Sequence, residues 1–229
     1  MQRKVFLINS KKIDSDILYL SLLPKDGNNL PFKPGNFVKI YSLSPSQAPA
    51  SRFYSITSTP SSKTLEFGIK IVGQFTNYLS SLEKGMEIGV EGPYPKFSFS
   101  NQKQMILLAG GIGISPIISI LRTIEEKRIR GKFILFYSNK DANFPFYEEL
   151  KALSKNSSIR IIFTITREVP SDWKGETGRL SGEMICKYYA DLSGFEAFIC
   201  GPSQMALVAK ECLTNLGIKE EDIDIEAWA

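Results

Sequence analysis

The chain has 229 residues, 43% of them hydrophobic and 23% charged, with a net charge of +4. This length allows one large domain or two small ones, and the charge is far below that of a dedicated nucleic-acid-binding protein. There is no histidine and there are only three cysteines. These counts exclude Ser-His-Asp triads, Cys-His pairs and Cys-rich zinc or iron–sulfur sites. We therefore expect no metal site and no nucleic-acid partner, and any catalysis must use a bound cofactor or carboxylates, hydroxyls and backbone groups.

Three features predict a cytoplasmic location without a membrane span. No apolar run approaches the roughly 18–20 residues that a spanning helix needs, and Met1–Leu7 lacks the apolar core of a signal peptide. An odd number of cysteines fits reduced thiols in a reducing compartment.

The first hundred residues show short β-like runs separated by turn residues. Turn signals occur at Asp26-Gly27, Pro34-Gly35 and the Ser/Pro cluster Ser42–Pro49. One helix is predicted at Thr76–Leu82, and many short strands favour an antiparallel sandwich or small barrel. The predicted strands are Val5–Ile8, Ile17–Leu22, Asn36–Ser42, Phe53–Thr57 and Thr64–Ile71.

After Pro95 continuous apolar runs alternate with helical patterns, which predicts a doubly wound, five-stranded parallel α/β sheet. The polar, helix-poor segment Pro95–Lys103 suits a linker, and we divide the chain into domains 1–99 and 100–229. The predicted strands are Met105–Ala109, Phe133–Tyr137, Ile159–Ile165, Ala197–Cys200 and Ile223–Ile225. The predicted helices are Pro116–Lys127, Phe146–Ser154, Gly182–Ala190 and Ser203–Leu216.

A glycine-rich turn, Leu108–Pro116, joins the first apolar run of the second half to its first helix. Ser115 can cap that helix and Pro116 suits its first turn. Glycines allow close approach to a phosphate, and a helix N-terminus favours an anion, so the turn suits a dinucleotide pyrophosphate. The G-x-G-x-x-G fingerprint is not met, because Pro116 stands at the last glycine position. A strand-to-helix turn without a ligand remains the alternative.

In the first half, Arg52–Ser58 reads Arg-Phe-Tyr-Ser-Ile-Thr-Ser. Strand alternation puts Arg52 and Tyr54 on one face and Phe53 and Ser55 on the other. The arginine could pair with a phosphate while the tyrosine ring stacks on a planar ligand. The alternative is an edge strand with a solvated arginine.

Together these motifs resemble the ferredoxin–NADP⁺ reductase superfamily, over the whole chain and in the family order. That family joins an N-terminal flavin-binding β-barrel to a C-terminal pyridine-nucleotide domain. The resemblance rests on Arg52-x-Tyr54-Ser55-x-x-Ser58, Gly73-Gln-Phe-Thr76-Asn-Tyr-Leu79, Gly92-Pro93, Gly110-Gly-x-Gly-x-Ser-Pro116, Thr177-Gly178-Arg179, Cys200-Gly201-Pro202 with Met205, and Glu226-Ala-Trp228.

The resemblance implies a role for each matching residue on the flavin side. Within the cofactor-binding strand Arg52–Ser55, which includes Phe53, Arg52 would bind the flavin phosphate. Tyr54 would stack on the isoalloxazine, and Ser55 would hydrogen-bond near flavin N5. Ile69, Lys70 and Ile71 would line the adenosine or ribityl side, and Gly73, Phe75 and Thr76 would hold the pyrophosphate.

On the nicotinamide side, the resemblance places the coenzyme against two segments. The first contains Gly110, Gly111, Gly113, Ser115 and Pro116, and the second, where a predicted strand ends, contains Cys200, Gly201 and Pro202. Cys200 would lie beside the nicotinamide, or be a small buried residue. Trp228 would cover the flavin, with packing on the domain seam as the alternative, and Glu226 could help manage the flavin proton.

These roles imply an NAD(P)H-dependent flavoprotein reductase in which Ser55, Cys200, Glu226 and Trp228 act at the reacting rings. FAD is favoured over FMN. NADPH is slightly favoured over NADH, from Ser138, Lys140, Thr166, Arg167 and Arg179, although Asp141 would oppose an added phosphate if its carboxylate pointed inward. No ferredoxin domain or four-cysteine cluster follows Trp228, so the acceptor would be separate: ferredoxin, flavodoxin or an oxygenase component. The alternatives are a dedicated oxygenase reductase and a nucleotide-binding redox sensor without turnover.

Overall fold

The computed structural model describes residues 1–44 and 51–228. Most of the turn predicted at Ser42–Pro49 therefore lies outside the described residues. The chain forms two compact units, one of residues 1–100 with 118–123, the other of residues 101–117 with those from 124 onward. Among the described residues, no helix has the length and apolarity needed to traverse a bilayer.

The first unit is an antiparallel sheet of six strands in the order β4-β3-β6-β1-β2-β5. Its two end strands, β4 and β5, contact each other, so the sheet is a nearly closed barrel. This confirms the small-barrel alternative of the sequence prediction. The elements are β1 (Gln2–Asp14), β2 (Ile17–Pro24), β3 (Phe37–Tyr41), β4 (Ser51–Ser55), β5 (Leu65–Lys70), α1 (Gln74–Ser81) and β6 (Glu87–Tyr94).

Strand β6 was not predicted, because its glycines resemble turn signals. Gly89 does not mark a turn. It leaves room for the ring of Tyr41 on β3, which would lie 2.2 Å from a β-carbon at position 89. The strand therefore runs through the centre of the sheet, between β1 and β3. A glycine inside a strand is typical of such a close approach.

The linker expected at Pro95–Lys103 is irregular in conformation but packed over its first part. Phe97 and Phe99 are buried. The Asn36 side-chain amide donates to the Phe97 carbonyl at 2.9 Å, and the Phe99 N–H donates to the Pro34 carbonyl at 2.9 Å. Two buried aromatic side chains and two hydrogen bonds to their backbone groups thus attach this segment to the barrel.

The second unit contains a parallel sheet in the order β10-β9-β8-β7-β11-β12. The doubly wound parallel prediction is confirmed, but the sheet has six strands rather than five. The additional edge strand β10 has only two residues, too few to produce a hydrophobic pattern. The elements are β7 (Gln104–Gly110), α2 (Ile114–Glu126), β8 (Lys132–Asn139), α3 (Tyr147–Leu153), β9 (Ile159–Ile165), β10 (Glu176–Thr177), α4 (Gly182–Cys186), β11 (Glu196–Pro202), α5 (Ser203–Asn215) and β12 (Ile223–Trp228).

Candidate cofactor sites

Strand β4 displays the predicted alternation of side chains. Tyr54 is half-buried and its ring stacks on Phe75 of α1, with centroids 6.4 Å apart and planes at 11°. Phe53 points to the other side of the strand, where it meets Phe37 and Tyr94 edge-on, and it is 56% exposed. Arg52 is exposed and donates to the Ser51 carbonyl at 2.8 Å. The guanidinium therefore keeps most of its donors available for an anion.

The Tyr54 hydroxyl is buried and has no hydrogen-bond partner among the described residues. Burial raises the pKa of Tyr54 to about 12, so the hydroxyl keeps its proton and acts as a donor at neutral pH. An unsatisfied buried polar group costs about 1–3 kcal/mol. A flavin dinucleotide, which offers a planar ring and many oxygen acceptors, fits a stacked tyrosine that lacks an acceptor.

We expect Tyr54→Phe to separate ligand binding from folding. The apo variant should be at least as stable as the wild-type apo protein, because the hydroxyl has no partner to lose among the described residues and a buried unsatisfied group is removed. FAD affinity should fall about 10-fold, the value of one hydrogen bond. The measurements are urea unfolding of the apo protein and fluorescence titration with FAD. Tyr78→Phe is the matched control, since the Tyr78 hydroxyl bonds Ser42 Oγ at 3.1 Å and its removal should weaken the fold. Lower apo stability of Tyr54→Phe with unchanged FAD affinity would contradict the assignment.

Helix α1 begins beside Tyr54 with a turn closed by Thr76. Thr76 Oγ1 accepts the N–H groups of Val72 and Gly73, each at 3.0 Å, and donates to the Gly73 carbonyl at 2.9 Å. The next three N–H groups, from Gln74 to Thr76, are those that a helix start leaves without intrahelical partners. Space around Gly73 is open, since a β-carbon there would meet nothing within 4 Å. A pyrophosphate fits this turn through the N–H groups of residues 74–76, while that of Gly73 is engaged by Thr76.

The three residues at the end of β5 lie in different surroundings. Ile69 belongs to the barrel core at 1% exposure. Lys70 is exposed and pairs with Asp16 at 3.4 Å, and Ile71 packs on the edge of the core. Lys70 and Ile71 are therefore the two that a ligand could reach directly.

Two further residues of the first unit hold the segment after β4. Ser119 Oγ donates to the Ser58 carbonyl at 2.7 Å. Arg122 Nη1 donates to the Thr57 carbonyl at 2.8 Å and to Glu66 Oε2 at 2.9 Å. The sequence analysis missed both. For Ser119, the sequence did offer a signal, because a polar residue there interrupts the apolar pattern of α2.

In the second unit, glycines allow β7, the turn before α2, β11 and α5 to approach closely. A β-carbon at Gly113 would lie 2.1 Å from the Cys200 carbonyl oxygen, and one at Gly110 would lie 2.7 Å from Pro202 Cδ. At Gly201 it would lie 2.4 Å from Met205 Cε. Gly111 has φ +53°, in the left-handed region. The predicted glycine loop and the end of β11, Cys200–Pro202, therefore meet at the carboxyl edge of the sheet, where ligands bind in such folds.

The helix after this loop begins earlier than expected. A 3₁₀ turn at Gly111–Gly113 runs directly into α2 at Ile114. Ser115 is therefore a buried residue inside the helix, not its N-cap, and that prediction was wrong. Pro116 lies in the first turn of α2, as expected.

Tyr137 supports the same loop and was not predicted. Its side chain is completely buried at the end of β8, and its hydroxyl donates to the Gly111 carbonyl at 2.9 Å. An apolar strand pattern cannot reveal which hydroxyl lies below a turn. Tyr137 is thus a positioning residue for the glycine loop.

We expect Tyr137→Phe to raise the KM for NAD(P)H about 3- to 10-fold, since one hydrogen bond to the loop is lost. The kcat and the FAD content should remain unchanged. Steady-state kinetics beside Tyr189→Phe, whose hydroxyl contacts Arg160 at 3.4 Å, would check this. An unchanged KM in Tyr137→Phe would rule out the positioning role.

The carboxyl ends of β8, β9 and β10 carry three exposed cations, Lys140, Arg167 and Arg179. The Thr166 N–H donates to the Asn139 carbonyl at 2.9 Å and that of Arg167 to the Lys140 carbonyl at 3.0 Å, which joins the first two ends. Ser138 is buried. Asp141 is engaged within its own loop, where Oδ1 accepts the Asn143 N–H at 2.8 Å and the Asn139 amide at 3.3 Å.

The last strand brings the end of the described chain to this edge. In the β11–β12 register, Cys200 lies beside Glu226 and Pro202 beside Trp228. Cys200 is 2% exposed, Glu226 is half-buried and Trp228 is 38% exposed. The Trp228 carbonyl accepts from Ser203 Oγ at 3.0 Å, and its ring lies 2.9 Å from the β-carbon position of Gly113. Trp228 thus packs on the glycine loop, and its stacking on a flavin remains a prediction.

Comparison with known protein families matches both units. An oxidoreductase FAD-binding domain matches residues 4–99, and an oxidoreductase NAD-binding domain matches residues 107–211. The first range includes Arg52–Ser55 and Gly73–Thr76, and the second includes the glycine loop and Cys200–Pro202.

Individual relatives agree with this assignment. The chain is 25% identical over 235 residues to a flavohemoprotein of Bacillus subtilis (strain 168), covering 98% of this chain and 59% of the relative. It is 24% identical over 233 residues to the xylene/toluene monooxygenase electron transfer component XylA of Pseudomonas putida, covering 96% and 64%. The chain thus spans about three fifths of the length of these curated relatives.

A solved structure shares the fold. A ferredoxin NADP⁺ reductase from Neisseria gonorrhoeae with bound FAD and NADP superposes with a TM-score of 0.78 at 21% identity, covering 99% of both chains. With an FAD-binding domain, an NAD-binding domain and this fold, the chain belongs to the ferredoxin–NADP⁺ reductase superfamily of oxidoreductases.

Proposed function

We propose that this chain is an NAD(P)H-dependent flavoprotein reductase, with a flavin-binding domain at residues 1–99 and an NAD(P)-binding domain at 100–229. Bound FAD would accept hydride from NAD(P)H and deliver electrons to a separate acceptor. The observation that carries the proposal is the buried Tyr54 hydroxyl, which finds no acceptor in the described ranges 1–44 and 51–228 and lies beside an open helix start. The chain also has a glycine loop at the edge of a parallel sheet.

The residues of the first unit would bind and orient FAD. Arg52 would pair with a phosphate, and the Tyr54 ring, held parallel to Phe75, would contact the flavin while its hydroxyl donates to an oxygen of the cofactor. The N–H groups from Gln74 to Thr76 would hold the pyrophosphate. Ser55, at the end of β4, would hydrogen-bond near flavin N5.

The residues of the second unit would bind and orient the coenzyme. The loop Gly110–Gly113 would receive the pyrophosphate, because the space beside Gly111 is open and the loop runs into the start of a helix at the carboxyl edge of the sheet. Cys200 and Gly201 would border the nicotinamide, where Glu226 would hold a proton and Trp228 would exclude water. No histidine is needed, since hydride transfer depends on alignment more than on a general base.

The basic residues at the ends of β8 to β10 support NADPH over NADH. The Asp141 carboxylate, which could oppose a 2′-phosphate, is hydrogen-bonded by Asn139 and Asn143 and its charge is paired with Lys140 Nζ at 3.6 Å. Lys140, Arg167 and Arg179 are exposed at the positions where a 2′-phosphate would be recognised.

We expect Arg167→Ala to raise the KM for NADPH about 10-fold and to leave the KM for NADH unchanged, because one charge-assisted hydrogen bond to the phosphate is lost. Steady-state kinetics with both coenzymes provide the measurement. Arg160→Ala, an exposed arginine near the other end of β9, is the matched control. Equal effects of Arg167→Ala on both coenzymes would reject the phosphate contact.

The proposed electron acceptor is a separate redox protein. A ferredoxin, a flavodoxin or an oxygenase component would fit, and similarity to a monooxygenase electron transfer component supports the last. A net charge of +4 is compatible with an acidic partner. All three cysteines are described and none forms a disulfide, which supports a cytoplasmic location.

Acceptor profiling tests the proposal. Purified protein loaded with FAD is given NADPH or NADH together with ferredoxin, flavodoxin, an oxygenase component or an artificial one-electron acceptor. A reductase oxidises the coenzyme with the artificial acceptor and at least one protein, and the preferred protein identifies the partner class. A nucleotide-binding redox sensor would show no turnover with any acceptor, and that result would overturn the proposal.

A further inference from the structure

Two cysteines outside the cofactor sites lie on neighbouring helices. Cys186 is the last residue of α4 and is exposed, whereas Cys212, in α5, is 8% exposed. Helices α4 and α5 contact each other. The third cysteine, Cys200, lies on β11 between Ala109 and Glu226, so the two helical thiols form a pair of their own.

The packing of Gly182 brings the two sulfur atoms toward one place. Cys212 Sγ lies 3.3 Å from the position that a β-carbon would take on Gly182, the first residue of α4. Cys186 is four residues further and therefore lies on the same helix face, one turn away. Side chains of a helix lean toward its N-terminus, so the Cys186 thiol leans toward Gly182 and Cys212.

The electrostatics agree with this proximity. Burial raises the pKa of the Cys212 thiol to about 11, and the neighbouring Cys186 adds to the increase. Cys212 therefore stays protonated and unreactive alone, while the exposed Cys186 is the sulfur that a dissolved oxidant reaches first.

We propose that Cys186 and Cys212 are a redox-sensitive pair that forms a reversible disulfide between α4 and α5 when the protein meets a peroxide. The Cys186 thiolate attacks one oxygen of hydrogen peroxide. The S–O bond forms, the O–O bond breaks, and hydroxide leaves and takes up a proton as water. Cys212 then loses its proton and attacks the Cys186 sulfur, so that the S–S bond forms and the S–O bond breaks with loss of a second water. The thiols lose two electrons and the peroxide gains them.

The disulfide between Cys186 and Cys212 would stabilise the second unit. It closes a loop from Cys186 to Cys212 that contains β11, the strand carrying Cys200–Pro202. Closing such a loop constrains the unfolded chain. We therefore expect oxidation to raise the Tm of the protein by roughly 5 °C and reduction with dithiothreitol to reverse the change.

The test uses the full chain loaded with FAD, reduced, desalted and treated with hydrogen peroxide. The number of free thiols titrated after denaturation should fall from three to one per chain. Peptide mapping should recover Cys186 joined to Cys212 within one chain. In the Cys200→Ser protein, the same treatment should lower the number of free thiols from two to none. Cys186→Ser, a change at an exposed position, should keep two thiols and show no rise in Tm.

Three results would overturn the proposal: three thiols remaining under conditions that oxidise added glutathione, a disulfide that includes Cys200, or Cys186 recovered as a sulfinic acid or in a bond between chains. None of these readouts depends on coenzyme turnover, so failure here is distinguishable from failure of the proposed reductase function.

Discussion

Gly113→Ala is expected to lower the free energy of unfolding of the second unit by about 3 kcal/mol or more. The new β-carbon would lie 2.1 Å from the Cys200 carbonyl oxygen and 2.9 Å from the Trp228 ring. The first neighbour is backbone within a parallel sheet, so it cannot rotate away, and overpacking of this kind costs about 1–3 kcal/mol or more. Both tryptophans of the chain lie in this unit, so tryptophan fluorescence during urea unfolding of the apo protein reports on it.

Gly111→Ala is the matched control in the same turn. A β-carbon at Gly111 would meet only Asn139 Oδ1, at 3.9 Å, so the cost is limited to an alanine at φ +53°, about 1–2 kcal/mol. Gly113→Ala should therefore be clearly the more destabilising change. Equal losses from the two changes would show that the packing of the loop on β11 is looser than described.

Arg52→Ala should weaken FAD binding about 10- to 100-fold and leave the second unit folded. The exposed guanidinium has one described hydrogen bond, to the Ser51 carbonyl, so its removal costs the fold little. A lost charge-assisted bond to a phosphate costs about 1.5–3 kcal/mol. Arg52→Lys should recover part of the affinity, because lysine keeps the charge and loses the planar fork.

The measurements are FAD content after purification and the Kd from fluorescence titration. Arg3→Ala removes another exposed arginine from the same barrel and should leave both values unchanged. An Arg52→Ala protein with wild-type FAD content would remove this residue from the phosphate site.

The fold was most predictable where strands are buried on both faces. Met105–Ala109 and Phe133–Tyr137 are continuous apolar runs and lie inside β7 and β8. Strand β6 escaped notice because Gly89 makes room for the Tyr41 ring, a demand made by a distant partner. Edge strand β10 was not predicted because two residues are too few to show the alternating hydrophobic pattern of a strand.

The candidate sites were predictable as motifs but not as arrangements. The glycines at 110 and 113 were interpreted as room for a phosphate and Gly201 as a nicotinamide contact, whereas the structure gives each a packing reason in the chain itself. Gly111, with its left-handed φ, is the one whose surroundings stay open. The hydroxyls of Tyr137 and Ser119 bond to carbonyls of other elements, and such contacts across the fold leave no local pattern in a sequence.

A visible spectrum of the purified protein under anaerobic conditions tests whether one chain binds both FAD and a pyridine nucleotide for hydride transfer. We expect a band near ~450 nm from bound oxidised flavin, which disappears after addition of NADPH, NADH or both. A colourless protein that cannot be loaded with FAD would contradict this expectation, and so would a bound flavin that neither coenzyme bleaches.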